Sequence, residues 1–156
     1  MKKIIVDTNI IFSCLLNSQR TIGDIIFNSD GVFEFYSCQY MHFEIRKHWN
    51  KLIKISRLSD KELQIAFDKM VTKLRFINEE LIPPKDWLNA EAFVSSIDID
   101  DIDFIALTRY LKGGLWTGDK PLYEGLNARR FRNVYNTEDM RRLRDRLLKQ
   151  KSGARQ

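Results

Sequence analysis

The sequence predicts an α/β fold, a three-layer α/β/α sandwich built on a mostly parallel sheet. Three observations lead there. Short runs rich in β-branched and aromatic residues, such as Ile4-Ile5-Val6, Val32–Cys38 and Leu115-Trp116-Thr117, alternate with longer segments of helical period. The Ile4-Ile5-Val6 run is apolar at successive positions, the pattern of a strand covered on both faces. Two of the runs lead into acidic residues, Asp7 and Asp119, and in a parallel sheet such strand ends emerge along one edge, where ligands bind.

The elements follow in order. The first strand gives way at Asp7-Thr8-Asn9, any of which can cap a short helix over Ile10–Leu16. Thr21 is suited to cap a second helix, Ile22–Asn28, which stops at Ser29-Asp30-Gly31. After the Val32–Cys38 strand, one helical stretch from about Met41 to Ile55 carries Glu44 in its first turns. Ser59-Asp60-Lys61-Glu62 is a capping box. Behind it Leu63, Ala66, Phe67, Met70, Val71, Leu74 and Ile77 keep a helical period, with Arg75–Ile77 also readable as a third strand. Pro83-Pro84 interrupts any helix, and Trp87–Val94 is a modest one after it. The cluster Asp98-Ile99-Asp100-Asp101-Ile102-Asp103 leads into a helix over Phe104–Lys112, ended by Gly113-Gly114. A short strand over 115–117, a helical turn over Pro121–Leu126 and a last strand over Arg132–Tyr135 follow. Thr137 is placed to cap a final helix striped with Met140, Leu143, Leu147 and Leu148.

The length of 156 residues suits one domain, and a hydrophobic fraction of 44% is ample for a core. No apolar run approaches the ~20 residues of a membrane span. The first residues do not resemble a signal peptide, because Lys2-Lys3 precedes only three apolar residues. Cys14 and Cys38 follow no metal or redox spacing and read as reduced core residues, which points to the cytoplasm. The net charge of +5 is uneven: residues 129–156 hold ten Lys/Arg against three Asp/Glu, so the rest sums to −2. A basic end on an acidic body suits an anionic partner, nucleic acid or an acidic protein, or else a solvated helix face.

The acids carry the chemistry. Asp7 and Asp119 are expected on one sheet edge, with Asp101 at a helix start and Glu44 in the early turns of another helix nearby. Carboxylates gathered so closely repel unless a cation lies among them. A hard divalent ion, Mg²⁺ or Mn²⁺, suits all-oxygen ligands. Such an ion lowers the pKa of water and neutralises charge on a phosphoryl oxygen, which favours phosphodiester hydrolysis with a basic surface holding the nucleic acid. The competing reading of the Asp98–Asp103 cluster is helix-dipole compensation, about 0.3–1 kcal/mol for each first-turn acid. Four acids exceed what a helix start needs. Asp98 and Asp103 compete with Asp101 for the ligand position, and Glu44 alone reads equally well as a solvated helix residue.

With these residues in view, the sequence resembles a PIN-domain nuclease, the fold shared by the VapC-type toxins of bacterial toxin–antitoxin pairs. Ile4-Ile5-Val6-Asp7-Thr8-Asn9 is similar to the family's opening strand and Asp-x-Asn, and Leu115-Trp116-Thr117-Gly118-Asp119 to its strand ending in Thr-x-Asp. Glu44 stands in the place of the family's helical acid, and Asp101, with Ala106 five residues on, resembles the third acid. The likeness extends to about Tyr135, giving a PIN-like domain over 1–136 and a basic C-terminal helix and tail, 137–156, packed on it. It implies a five-strand parallel sheet and a Mg²⁺/Mn²⁺-dependent endoribonuclease. It also implies that Asp7, Asp101 and Asp119 hold metal, that Glu44 assists, and that Asn9 and Thr117 orient ligands or waters. The partners it implies are RNA, an antitoxin protein and a second copy of the chain.

Other signals are weaker. His42-Phe43-Glu44 imitates half of a zinc-deaminase signature whose Pro-Cys-x-x-Cys is missing. Glu44 and His48, four apart, are better placed to hydrogen-bond than to share a metal. An EF-hand loop beginning at Asp98 lacks its glycine and its terminal glutamate. A haloacid-dehalogenase-like phosphatase needs an acid where Asn9 stands. A PIN-like RNA-binding module without catalysis is the remaining alternative. Trp87 and Trp116 read as core residues, and Trp49 is the tryptophan open to RNA stacking.

Overall fold

A computed structural model describes residues 1–17, 20–94 and 102–154. Its centre is a five-stranded, all-parallel sheet in the order β3-β2-β1-β4-β5. The strands are β1 (Lys2–Val6), β2 (Phe33–Cys38), β3 (Leu74–Ile77), β4 (Gly114–Trp116) and β5 (Val134–Tyr135). Among the described residues the helices are α1 (Thr8–Leu16), α2 (Thr21–Phe27), α3 (Tyr40–Lys47), α4 (Trp49–Ser56), α5 (Asp60–Val71), α6 (Pro84–Val94), α7 (Ile102–Leu111), α8 (Lys120–Ala128) and α9 (Thr137–Ala154).

The three layers follow from strand pleating. Register aligns Ile5 with Tyr36 and Leu115, and Leu115 with Val134, so these four share one face. They join a core completed from α6, α7 and α8 by residues such as Ala90, Ile105 and Leu122. Ile4, Val6, Phe35, Leu74 and Trp116 point the other way, into a core shared with Ile11, Ile25, Ile45, Leu63 and Met140. Ile4, Ile5 and Val6 are each 0% exposed, so the unbroken apolar run reflects cover on both faces.

Local boundaries differ from the sequence reading in instructive ways. The stretch from 41 to 55 is two helices, because His48 leaves the helical region at φ −102°, ψ 14°. The buried positions Met41, Ile45, Trp49 and Leu52 keep a helical spacing across the break, which falls among polar residues and leaves no trace in the pattern. Pro84 opens α6 three residues before the expected start, since a first-turn proline gives up no intrahelical bond. Thr21 begins α2 and makes no cap. Asn136, not Thr137, caps α9: its Oδ1 accepts from the Asp139 N–H at 2.8 Å, and Asp139 Oδ2 accepts from the Asn136 N–H at 3.2 Å. The Thr137 hydroxyl instead accepts from the Trp116 indole N–H at 3.1 Å. The Ser59–Glu62 capping box forms as expected.

At the end of α7 the left-handed residue is Lys112, φ 53°, not a glycine. The Gly113 N–H reaches back to the Thr108 carbonyl and the Lys112 N–H to that of Arg109, a Schellman closure. Gly113 is required for space instead: a Cβ there would lie 2.7 Å from the Lys3 carbonyl oxygen of β1. Gly113→Ala is therefore expected to lower unfolding free energy by about 1–3 kcal/mol in a urea titration, as overpacking does.

The C-terminal helix lies against α2. Met140 and Leu143 are buried in the first core, and the Arg144 guanidinium meets the Asp24 carboxylate at 2.8 Å. Arg141 and Arg142 both pair with Glu138. Of the ten Lys/Arg in residues 129–156, Arg144 is thus answered by an acid of the body, while Arg141 and Arg142 share an acid of their own helix. No helix of the described residues is long and apolar enough to cross a membrane.

Candidate active site

Strand order reverses at β1, with β2 and β3 on one side and β4 and β5 on the other. The crevice beyond the carboxyl ends of β1 and β4 is therefore the topological switch point, where this class of sheet binds ligands. Asp7 follows β1 directly, and Asp119 comes three residues after β4 ends. Both aspartates also start helices. Asp7 Oδ1 accepts the Ile10 N–H at 3.0 Å, capping α1, and Asp119 Oδ1 accepts the Leu122 N–H at 3.1 Å, capping α8. Thr117 is buried between them, and its hydroxyl oxygen accepts the Asp119 N–H at 3.0 Å.

The remaining oxygen of Asp7 is the exceptional atom. The residue is 2% exposed, and Oδ2 has no hydrogen-bond partner among the described residues. Burial pushes the Asp7 carboxyl up to about 6, and the charge of Asp119 adds to the rise. Hydrogen-bonding groups of Thr117, Ile10 and Gly118 offset only part of it. A carboxylate held this way at neutral pH is short of one positive neighbour.

Further acids line the same edge. Thr8 donates its hydroxyl to Glu44 Oε1 at 3.2 Å, bringing α3 to the residue beside Asp7. Glu79, just past β3, accepts the Tyr40 N–H at 2.7 Å and so caps α3. Asp103 at the start of α7 is raised by its own burial and by the charge of Glu79. Cys38, at the end of β2, is raised by burial and then by the charges of Glu79, Asp103 and Glu44, which places all three acids around that strand end. Asp103 was expected as a supporting acid of the Asp98–Asp103 cluster, and it lies near enough to Glu79 to feel its charge.

Glu79 is not among the acids the sequence singles out. It carries the signal of Asp7, an acid just beyond a short apolar strand, but the sequence leaves 75–77 open between a helical stripe and a third strand. Asn9 lies in the first turn of α1 and lines a shallow groove with Phe12, His48 and Leu52. Asp98 and Asp101 lie outside the described residues. Among the described residues no three His, Cys, Asp or Glu side chains are grouped closely enough to ligate one ion. What fits a cation is the donor set itself: two carboxylates at the switch point, one with a buried oxygen that has no hydrogen-bond partner among the described residues. Trp49 is unavailable for stacking on RNA, since it is 8% exposed, bonds Asp60 through Nε1 at 2.7 Å and packs edge-on against Phe67.

A family profile described as the PIN domain matches residues 5–142. The chain belongs to the PIN-domain family. PIN domains are in general nucleases and in general depend on a divalent metal, which sets the phosphatase alternative aside. Among solved structures, this PIN domain is similar to a chain in the crystal structure of VapBC2 from Rickettsia felis bound to a DNA fragment from their promoter. The identity is 13%, the match covers 86% of this chain and 98% of that one, and the TM-score is 0.61, a likeness of fold. No curated protein matches this PIN domain by sequence.

Proposed function

We propose that this PIN domain is a divalent-metal-dependent endoribonuclease acting as the toxin of a toxin–antitoxin pair. The observation that carries the reading is Asp7 Oδ2, a buried carboxylate oxygen without a hydrogen-bond partner among the described residues, beside Asp119 at the switch point. Family membership supports nuclease chemistry, and the likeness to a VapBC2 complex supports an antitoxin as partner. Asp7 and Asp119 are the residues assigned to hold Mg²⁺ or Mn²⁺, with Asp101 as the third. When bound, the ion supplies an activated water and neutralises charge on a phosphoryl oxygen. Glu44, held by the Thr8 hydroxyl, is assigned to assist by accepting a proton, and Thr117 to keep Asp7 and Asp119 in register.

The decisive experiment is RNA cleavage with Mg²⁺ or Mn²⁺ against chelator, on wild type and Asp119→Asn together. Cleavage by wild type alone, and only with metal, is expected. Equal cleavage by Asp119→Asn, or cleavage undiminished by chelator, overturns the assignment. RNA retained uncut by wild type in Mn²⁺ indicates a binding module instead.

A further inference from the structure

We propose that Tyr40 and Phe43 form a stacking step for an unpaired base of the RNA substrate, at the rim of the acidic crevice. The inference rests on the nuclease reading above and extends it to substrate recognition. Both side chains are exposed, 49% for Tyr40 and 58% for Phe43, yet they are ordered against each other, with ring centroids 5.4 Å apart and planes 29° from parallel. Trp49, Trp116, Phe35 and Phe67 are instead buried. An exposed, stacked ring pair leaves one flat apolar face toward solvent, which a nucleobase covers well.

Position selects the occupant. Helix α3 begins just past the carboxyl end of β2, and its first turn is fixed by Glu79, which accepts the Tyr40 N–H. Tyr40 stands one helical turn before Glu44, on the same stripe, and Phe43 is adjacent to it. Glu44 in turn accepts from Thr8, the neighbour of Asp7. The rings therefore flank the carboxylates assigned to chemistry. Phosphates are repelled by this edge unless a cation intervenes, whereas a neutral base is not. Lys47, exposed one turn further along the same stripe, is suited to the phosphate that follows such a base. A protein segment fits less well, because polar residues Gln39, Glu44 and Lys47 bound the two rings along the helix. The apolar groove of the molecule runs elsewhere, between α1 and α4, past Phe12, Leu16, Leu52 and Ile55.

Base stacking is sequence-tolerant and acts on binding, so the test separates KM from kcat. Phe43→Ala and Tyr40→Ala are expected to raise KM for single-stranded RNA by about 5- to 150-fold with kcat little changed. Phe43→Leu, which keeps bulk without a flat ring, is expected to behave like Phe43→Ala, and Phe43→Trp like wild type. Independently, short single-stranded RNAs carrying 2-aminopurine are mixed with Asp119→Asn protein in Mn²⁺. Quenching of the base by the protein, lost on adding Phe43→Leu, supports the step. An unchanged KM for Phe43→Leu, or quenching that persists in it, overturns the proposal. So does loss of binding to a protein partner with RNA kinetics unaltered. If wild type cleaves no RNA, the nuclease reading fails by itself, and the quenching measurement still decides whether the rings hold a base.

Discussion

Asp7→Asn is expected to eliminate RNA cleavage while leaving a folded protein that is more stable than wild type in chelating buffer at neutral pH. The loss of activity should be at least about 100-fold, since removing groups that merely support a metal ligand already costs 10- to 100-fold. The fold survives because Asn caps a helix about as well as Asp, so the Ile10 N–H keeps its acceptor. The gain in stability comes from the raised carboxyl. Between about 3.8 and about 6 the folded chain holds a proton at Asp7 that the unfolded chain has released. Unfolding free energy therefore falls as pH rises through that window, and the deficit is complete above it. At 1.36 kcal/mol per unit the deficit is about 3 kcal/mol. Urea titrations at pH 4 and pH 7 should show this contribution in wild type and its absence in Asp7→Asn. Equal pH dependence in the two proteins refutes the account. Mn²⁺ should raise the wild-type midpoint at pH 7 and leave that of the variant nearly unmoved.

The largest loss of stability is expected from Trp116→Ala. Trp116 is 0% exposed, with its ring 6.0 Å from that of Phe35, and its indole N–H is satisfied by the Thr137 hydroxyl at 3.1 Å. Truncation removes about 3–5 kcal/mol, a large part of the ~5–15 kcal/mol that holds a domain together. Activity should fall with it. The Trp116 carbonyl accepts the Asp7 N–H at 3.2 Å, and Thr117, which follows it, orients Asp119. A urea midpoint lowered by an amount equivalent to less than 1 kcal/mol would show that Trp116 is not the keystone of the first core.

Much of this was legible in the chain because burial writes itself into spacing. The fully covered strand at Ile4–Val6, the capping box at Ser59 and the acids closing β1 and β4 each follow from local chemistry. The details that escaped share a cause, namely that a tertiary partner chose among equivalent local options. Asn136 and Thr137 are both competent caps, and Trp116 claimed the threonine hydroxyl. Lys112 took the left-handed turn that the adjacent glycines advertised, while the space those glycines leave is filled by the Lys3 carbonyl beside Gly113 and the Tyr135 ring beside Gly114. Arg75–Ile77 reads as either stripe or strand in the sequence, and pairing with β2 decides for a strand that ends just before Glu79. For the site, Asp7, Thr117 and Asp119 come together as the sheet requires, and Glu44 joins them through Thr8, a contact between residues 36 apart that no spacing rule foresees.

Asp7 and Asp119 each commit one oxygen to the beginning of a helix, and this fixes the direction in which the other oxygen looks. The mouth they form is dimensioned by how far apart α1 and α8 start, not by the reach of two mobile side chains. On the proposed metal-binding role, preference among ions of different radius becomes a property of scaffold packing. A substitution deep beneath either helix, with every oxygen donor intact, should be able to retune it.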